Sequence, residues 1–431
     1  MSAPEFQPIL LQLPSFTPSL AVEVVPYGAT IHRLFVQADG RTNDIIMGPE
    51  KPEQHVTQKY TGTLVGRYAN RVSVTPGPVT VSRNGFTSTF TAQANERPEV
   101  SLHGGVVGFD SLPFTPLADL SESKLFTPEE VATLQAEMPT AVVLTRVSPD
   151  GEQGFPGTLR VEFLVGLIPP KGPAAGDKSL LGSLVLIYRA RLEEPNKVTP
   201  INLTQHWGFN LDASLGEPTV LKHKLHIKAD NTIALTPFGL STGKLAPVKG
   251  TPHAHDDKPN GLIGENYPAT GYDSFYVLSR DAPAIPGRLP TTATPNVVKK
   301  VIETSIATPV TTLESAKSGI KLAFDTNRTS RAPFRTAPAD VSLLVESGVQ
   351  FYSNYYADPA KTSRKKIHGG SGEFGDGYGP NTCAFLEFHE PLESWQHPAT
   401  LGASKDDTLL ASGELYNNFV KMDVYYHTPA Q

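Results

Sequence analysis

The chain has 431 residues, 39% hydrophobic and 19% charged, with a formal net charge of −6 from 37 basic and 43 acidic side chains. That balance, without a long run of either sign, excludes the basic stripe of a nucleic-acid-binding surface. No stretch approaches the ~18 continuous apolar residues of a membrane-spanning helix, and the lone cysteine, Cys383, excludes an internal disulfide or a cysteine-cluster metal site.

The N-terminal run MSAPEFQPILLQLPSF has neither the basic start nor the apolar stretch of a secretory leader, which predicts a cytoplasmic protein. Its 39 prolines and 36 glycines predict many short strands joined by tight turns. In chain order, Asn84-Gly85 between Val79–Val81 and Phe86–Phe90 predicts a hairpin. Thr127-Pro128-Glu129-Glu130 supplies a cap, a first-turn proline and a capping-box glutamate for a short helix ending ahead of Pro139. Leu159–Leu167, the alternating Leu221–Lys228 and Phe419–Tyr426 predict strands. The expectation is an all-β protein, residues 1–431 forming a single domain, with a few short peripheral helices. Surface insertions are expected at 119–140, 169–179, 281–296 and 359–380. The glycine-rich end of the last one lacks the Lys-Ser/Thr of a phosphate cradle and reads as a mobile loop near the site. His253-Ala254-His255-Asp256-Asp257 has metal-ligand residue types, but a solvated polar loop accounts for it as well.

Polar residues inside otherwise strand-like or turn-like text mark the candidate chemistry. They occur in Gly66–Arg71, in Ser101–Gly105 with Gly108–Asp110, in Thr199–His206, in Gly271–Phe275, and in Gly348–Tyr352 together with Phe385–Glu387. Singly, each has a structural explanation: a turn cap, a satisfied core histidine, an outward charge. Glu387 resists it most, because Ala384, Phe385, Leu386 and Phe388 surround it. A carboxylate in apolar company takes a partner or shifts its pKa upward, which also suits a general base.

Taken in order, GRYANRV (66–72), SLHGG (101–105) with GFD (108–110), SPDGEQGFPG (148–157), TPINLTQH (199–206), GYDSF (271–275), GVQFY (348–352) and FLE (385–387) resemble the aldose 1-epimerase family. The resemblance runs from about residue 28 to the C-terminus and implies a galactose-mutarotase-like β-supersandwich whose sugar cleft lies on one concave sheet. It implies that Glu387 is the general base and His206 the general acid of anomer interconversion. Asn70, Arg71, His103, Asp273 and Gln350 would bind sugar. No cofactor and no metal are implied. The implied partner is a small-molecule aldose such as galactose or glucose, with no nucleic acid and no membrane, on a monomer or homodimer.

The chain departs from the family pattern in places. Trp207-Gly208 stands where the family has Ser/Thr-Tyr, so Trp207 is expected to offer the sugar a stacking face. Ser111–Phe114 replaces a Lys-x-x-Trp, with Phe114 as the substitute, and Glu390 and Glu393 follow Glu387 as competing carboxylates. Two other readings use the same residues: a non-catalytic carbohydrate-binding homologue, and a glycoside hydrolase working through Asp273 and Glu387.

Overall fold

Antiparallel pairing builds the architecture throughout. The computed structural model describes residues 3–170, 178–278, 285–292, 294–304, 306, 308–327, 347–398 and 407–429. Among these, a nine-stranded sheet is centred on Leu159–Ile168, Lys178–Leu192 and Glu414–His427. A six-stranded sheet runs in the order Gly208–Phe209, Ala384–His389, Gly348–Tyr352, Asp273–Leu278, Ala229–Leu235, Ser241–Pro247. A four-stranded sheet is formed by the chain's first strands, Ile9–Gln12 to Arg41–Asp44.

The central strands of the large sheet are apolar on both faces because they feed two cores. From Leu159–Ile168, Val161, Phe163 and Val165 enter the main core, while Leu164 and Ile168 point the other way. The main core lies between the large and six-stranded sheets: Leu186, Met422 and Phe324 of one join Leu386, Phe388 and Phe351 of the other. Phe324 and Phe388 stack with ring centres 5.1 Å apart. Leu164 and Ile168 meet a helical layer of Val131, Leu134, Val298 and Val301.

The expected helix forms at Pro128–Glu137, and its capping box closes as the residue types require: Thr127 Oγ1 accepts from Glu130 N at 3.2 Å and Glu130 Oε2 from Thr127 N at 3.0 Å. Glu130 is also fully buried against Arg189 at 2.7 Å and accepts from Val297 N at 3.1 Å. The 119–140 segment is thereby bolted to the large sheet. A second helix, Val297–Glu303, capped by Asn296, was not expected from its short β-branched sequence; burial of Val297, Val298, Val301 and Ile302 stabilises it. The Asn84-Gly85 hairpin joins Val79–Arg83 to Phe86–Phe90, with both turn residues at positive φ. The strand expected at 221–228 is shorter, Lys224–Ile227.

Of the other expected insertions, 171–177, 281–284 and 293 lie outside the described residues. The segment expected as an insertion at 359–380 is pinned at Lys365, ahead of its glycine-rich end. The ammonium of Lys365 is buried and donates to Asp44 Oδ2 (2.8 Å), His32 O (2.7 Å) and Ile46 O (2.8 Å). A buried charge with its donors fully used holds the loop to the four-stranded sheet.

Candidate active site

Strand periodicity decides which side chains leave the core. In Ala384–His389, Ala384, Leu386 and Phe388 enter the main core, so Phe385 and Glu387 face the opposite side. In Gly348–Tyr352, Val349 and Phe351 are core, leaving Gln350 and Tyr352 beside Glu387 and Phe385, their direct cross-strand partners. Asp273 opposes Tyr352 on the next strand. These five side chains line a cavity of about 310 Å³.

The other wall comes from loops. Thr204–His206 pairs with Thr63–Val65 and delivers His206 to the cavity. Arg71–Ser73 pairs with Val100–Leu102 and delivers Arg71, with Asn70 and His103 at the strand ends. Asn70 and His103 both adopt positive φ, and their backbones grip each other: His103 N donates to Asn70 O at 3.0 Å, and Asn70 N to His103 Nδ1 at 3.1 Å. The crossing passes so close to Gly66 that a Cβ on Gly104 (φ +91) would lie 2.0 Å from the Gly66 carbonyl oxygen. That contact explains the glycine that follows His103.

His206 Nε2 lies 3.3 Å from Glu387 Oε1. The edge of one imidazole, His103 or His206, meets the face of the other at 5.0 Å. Because His103 Nδ1 accepts from the backbone, the neutral ring carries its proton on Nε2. Burial pushes His103 well below the usual imidazole range, helped by the neighbouring His206. Burial also lowers His206 to about 4, partly offset by the backbones of His206 and Tyr60. Glu387 moves the other way, raised well above the carboxylate range by burial and by Asp273, with Arg71 opposing. Two groups whose environments disfavour charge thus share a contact through which one proton can pass.

Around the pair, Gln350 Nε2 donates to Asp273 Oδ1 at 2.6 Å, and Arg71 Nη1 lies 3.6 Å from Asp273 Oδ2. Arg71 itself is gripped by both oxygens of Glu96, at 2.7 and 2.9 Å. Glu387 Oε2 and Gln350 Oε1 are buried and have no hydrogen-bond partner among the described residues. Buried polar atoms are normally satisfied, so these two are open to a donor from outside the protein. His103, His206 and Glu387 also have ligating atoms within 4.8 Å of one another, a donor set able to hold a divalent metal.

One expected sugar contact is overturned. Trp207, next to His206 in an extended segment, points away from the cavity into the main core, 1% exposed, with Nε1 donating to Leu386 O at 2.7 Å. It therefore offers no stacking face. Gly208 leaves room where a side chain would meet Cys383 Sγ at 2.8 Å and Phe385 Cε1 at 3.0 Å. Phe385 occupies that space, its ring 4.7 Å from His206. Phe114 is likewise a core residue. Glu390 pairs with Arg288 at 2.9 Å and Glu393 accepts from Ser73 N at 2.7 Å, and neither lines the cavity. The His253–Asp257 rings converge on one hydroxyl, Tyr276 OH, at 2.8 Å from His253 and 3.0 Å from His255. Tyr60 is a cavity residue that the sequence reading missed: it sits 4.8 Å from His103 and 6.2 Å from His206, on a loop with no periodicity to betray it.

A family model described as aldose 1-epimerase matches residues 16–363. Galactose mutarotase of Bos taurus is 33% identical over 264 residues, 60% of this chain and 64% of that protein. Aldose 1-epimerase of Escherichia coli (strain K12) is 26% identical over 285 residues, 64% of this chain and 70% of that one. The alignment with the mammalian relatives thus spans just under two thirds of their length. In fold, the chain is similar to a GalM/aldose epimerase homologue from C. elegans (TM-score 0.65, 18% identity, 98% of this chain and 99% of that one). It is also similar to a galactose 1-epimerase from Lactobacillus acidophilus (TM-score 0.61, 17% identity, 97% and 98% covered). With the family model covering most of its length, the chain belongs to the aldose 1-epimerase family.

Proposed function

We propose that this protein is an aldose 1-epimerase that interconverts the α and β anomers of aldohexoses such as glucose and galactose. The observation that carries the reading is the 3.3 Å contact between His206 Nε2 and Glu387 Oε1 at the wall of the cavity. Opening a hemiacetal requires one base at the C1 hydroxyl and one acid at the ring oxygen. Passing one proton from Glu387 to His206 creates both at once, a carboxylate and an imidazolium. Glu387 then takes the C1 hydroxyl proton as the C1=O double bond forms, the C1–O5 bond breaks, and O5 takes the proton from His206. Rotation about C1–C2 presents the other carbonyl face, and closure reverses the transfers. No electrons leave the substrate, so the chemistry calls on no cofactor.

Asn70, Arg71, Asp273 and Gln350 hold the hydroxyls, and His103 Nε2–H donates toward the ring-oxygen side. Asp273 is engaged by both Gln350 and Arg71, which suits an orienting acceptor better than the second carboxylate of a hydrolase. A cytosolic setting belongs to the same proposal, supported by the single, fully buried thiol of Cys383. No helix among the described residues is long and apolar enough to cross a membrane.

The test is polarimetry on freshly dissolved α-D-glucose and α-D-galactose, with a chromatographic check that nothing is hydrolysed. The protein accelerates mutarotation, and Glu387→Gln and His206→Asn each slow it about 10²–10⁴-fold. Undiminished turnover in the Glu387 variant removes the assignment of the base.

A further inference from the structure

His206 and Glu387 stand where two neighbouring segments part. Gly208 and Phe209 ladder with Phe385 and Ala384, and one more backbone bond follows, Leu386 N to Trp207 O at 3.3 Å. Past that bond, among the described residues, side chains replace the ladder. Thr204 Oγ1 donates to Phe388 O at 3.1 Å. Asn202 Nδ2 donates to Glu390 O at 2.9 Å, and its Oδ1 accepts from Glu390 N at 3.1 Å. The distance between the two segments beside the pair is therefore set by whichever side chains bridge them.

One of these bridges comes from a third strand. Asn418 lies on Glu414–His427 between Tyr416 and Val420, on the face of that strand that builds the main core. It is 6% exposed, a carboxamide whose donors must be used internally. Its Nδ2 reaches Leu203 O and Phe388 O, both at 3.1 Å. Both partners are carbonyl oxygens, so the nitrogen and not the oxygen of the amide faces them. An amide nitrogen carries two hydrogens, and one goes to each segment. Leu203 is three residues before His206, and Phe388 is next to Glu387.

Resting on the acid/base reading above, we propose that Asn418 is a positioning residue for the proton transfer, its two hydrogens setting the separation of the segments that carry His206 and Glu387. Two N–H···O arms from one nitrogen resist both spreading and sliding of those segments. Each carbonyl keeps a second tie when Asn418 is removed: Tyr416 OH donates to Leu203 O at 3.4 Å, and Thr204 Oγ1 still reaches Phe388 O. The fold therefore survives while the spacing relaxes. Asn70, Arg71, Asp273 and Gln350 arrive on other segments and keep their places.

The experiment measures kcat and KM for glucose mutarotation, with urea midpoints, in the wild type, Asn418→Leu and Asn418→Ser. Leucine keeps the volume and serine avoids adding any, so a folding failure of one leaves the other to decide. Both lower kcat by up to about 10²-fold, the cost of a displacement of roughly 1 Å between reacting groups, with KM within twofold of wild type. A folded variant with wild-type kcat, or a loss carried mainly by KM, assigns Asn418 to packing alone and overturns the proposal, leaving the mutarotase reading standing. No acceleration of mutarotation by the wild type overturns that reading and the positioning role with it.

Discussion

His206 and Glu387 come from segments about 180 residues apart, yet their side chains meet at 3.3 Å, and burial pushes their pKa values in opposite directions. Both shifts favour the neutral forms, and a neutral acid beside a neutral base holds the same number of protons as the ion pair of the proposed mechanism. On that mechanism the pair is competent in its one-proton state, whichever member carries the proton.

That state sets the pH profile. A second proton enters only as pH falls toward the lowered value of His206, about 4. The single proton leaves only above the raised value of Glu387, whose ordinary value is 4.5. A plot of kcat/KM against pH should therefore show its acid limb near 4, well below the 6.5 of an ordinary histidine, and a plateau above it. An acid limb at 6.5 would sink the one-proton account.

Acid should weaken the fold through His55. Burial lowers this ring to about 3 from 6.5, with the Lys365 charge adding to the shift. The unfolded chain binds a proton there at 6.5 and the folded one does not, so its stabilisation is full above 6.5 and is lost as pH falls toward 3. Urea unfolding of wild type and His55→Gln measures this: the stability difference shrinks by up to about 1.4 kcal/mol per pH unit across that window. A constant difference contradicts it.

Trp207 separates packing from binding. Trp207→Phe leaves the Leu386 carbonyl without its donor inside the core. The loss is about 1–3 kcal/mol of stability, read as a lower midpoint in urea, with KM for glucose within twofold of wild type. A large rise in KM with unchanged stability would restore the stacking role that the fold denies it.

Glu96 acts through Arg71. It grips Nε and Nη2 of that guanidinium at 2.7 and 2.9 Å, fixing the fork that faces the cavity. Glu96→Gln should raise KM about tenfold, the worth of a weakened charge-assisted contact. Neither kcat nor the pH limbs should move, because the proton-transfer pair is untouched. Loss of kcat at constant KM would assign Glu96 a different part.

The polar motifs were readable because each packs chemistry into strand or turn text, but the motifs do not all serve the site. In GRYANRV, Arg71 reaches the cavity, whereas Arg67 is buried and spends its donors on Ser148, Pro149, Pro156 and Gly157. The SPDGEQGFPG segment is thus a socket for Arg67, a structural role that its residue types do not distinguish from a catalytic one. The carboxylates at 387, 390 and 393 show the same limit: all three are buried, and the strand direction at Glu387 and the presence of Arg288 beside Glu390 and Ser73 beside Glu393 separate them.

Sequence alone determined the all-β class and the capped helix at Pro128–Glu137, and it singled out His206 and Glu387, because hydrophobic period, capping chemistry and motif order are local properties. Tertiary structure decided that Trp207 serves the core, that Lys365 pins the 359–380 loop, and that Tyr60, Tyr352 and Tyr356 wall the cavity. Those outcomes depend on which face of a strand meets the opposing sheet and which loops converge. Contacts between residues distant in the chain set them, and no local pattern carries that information.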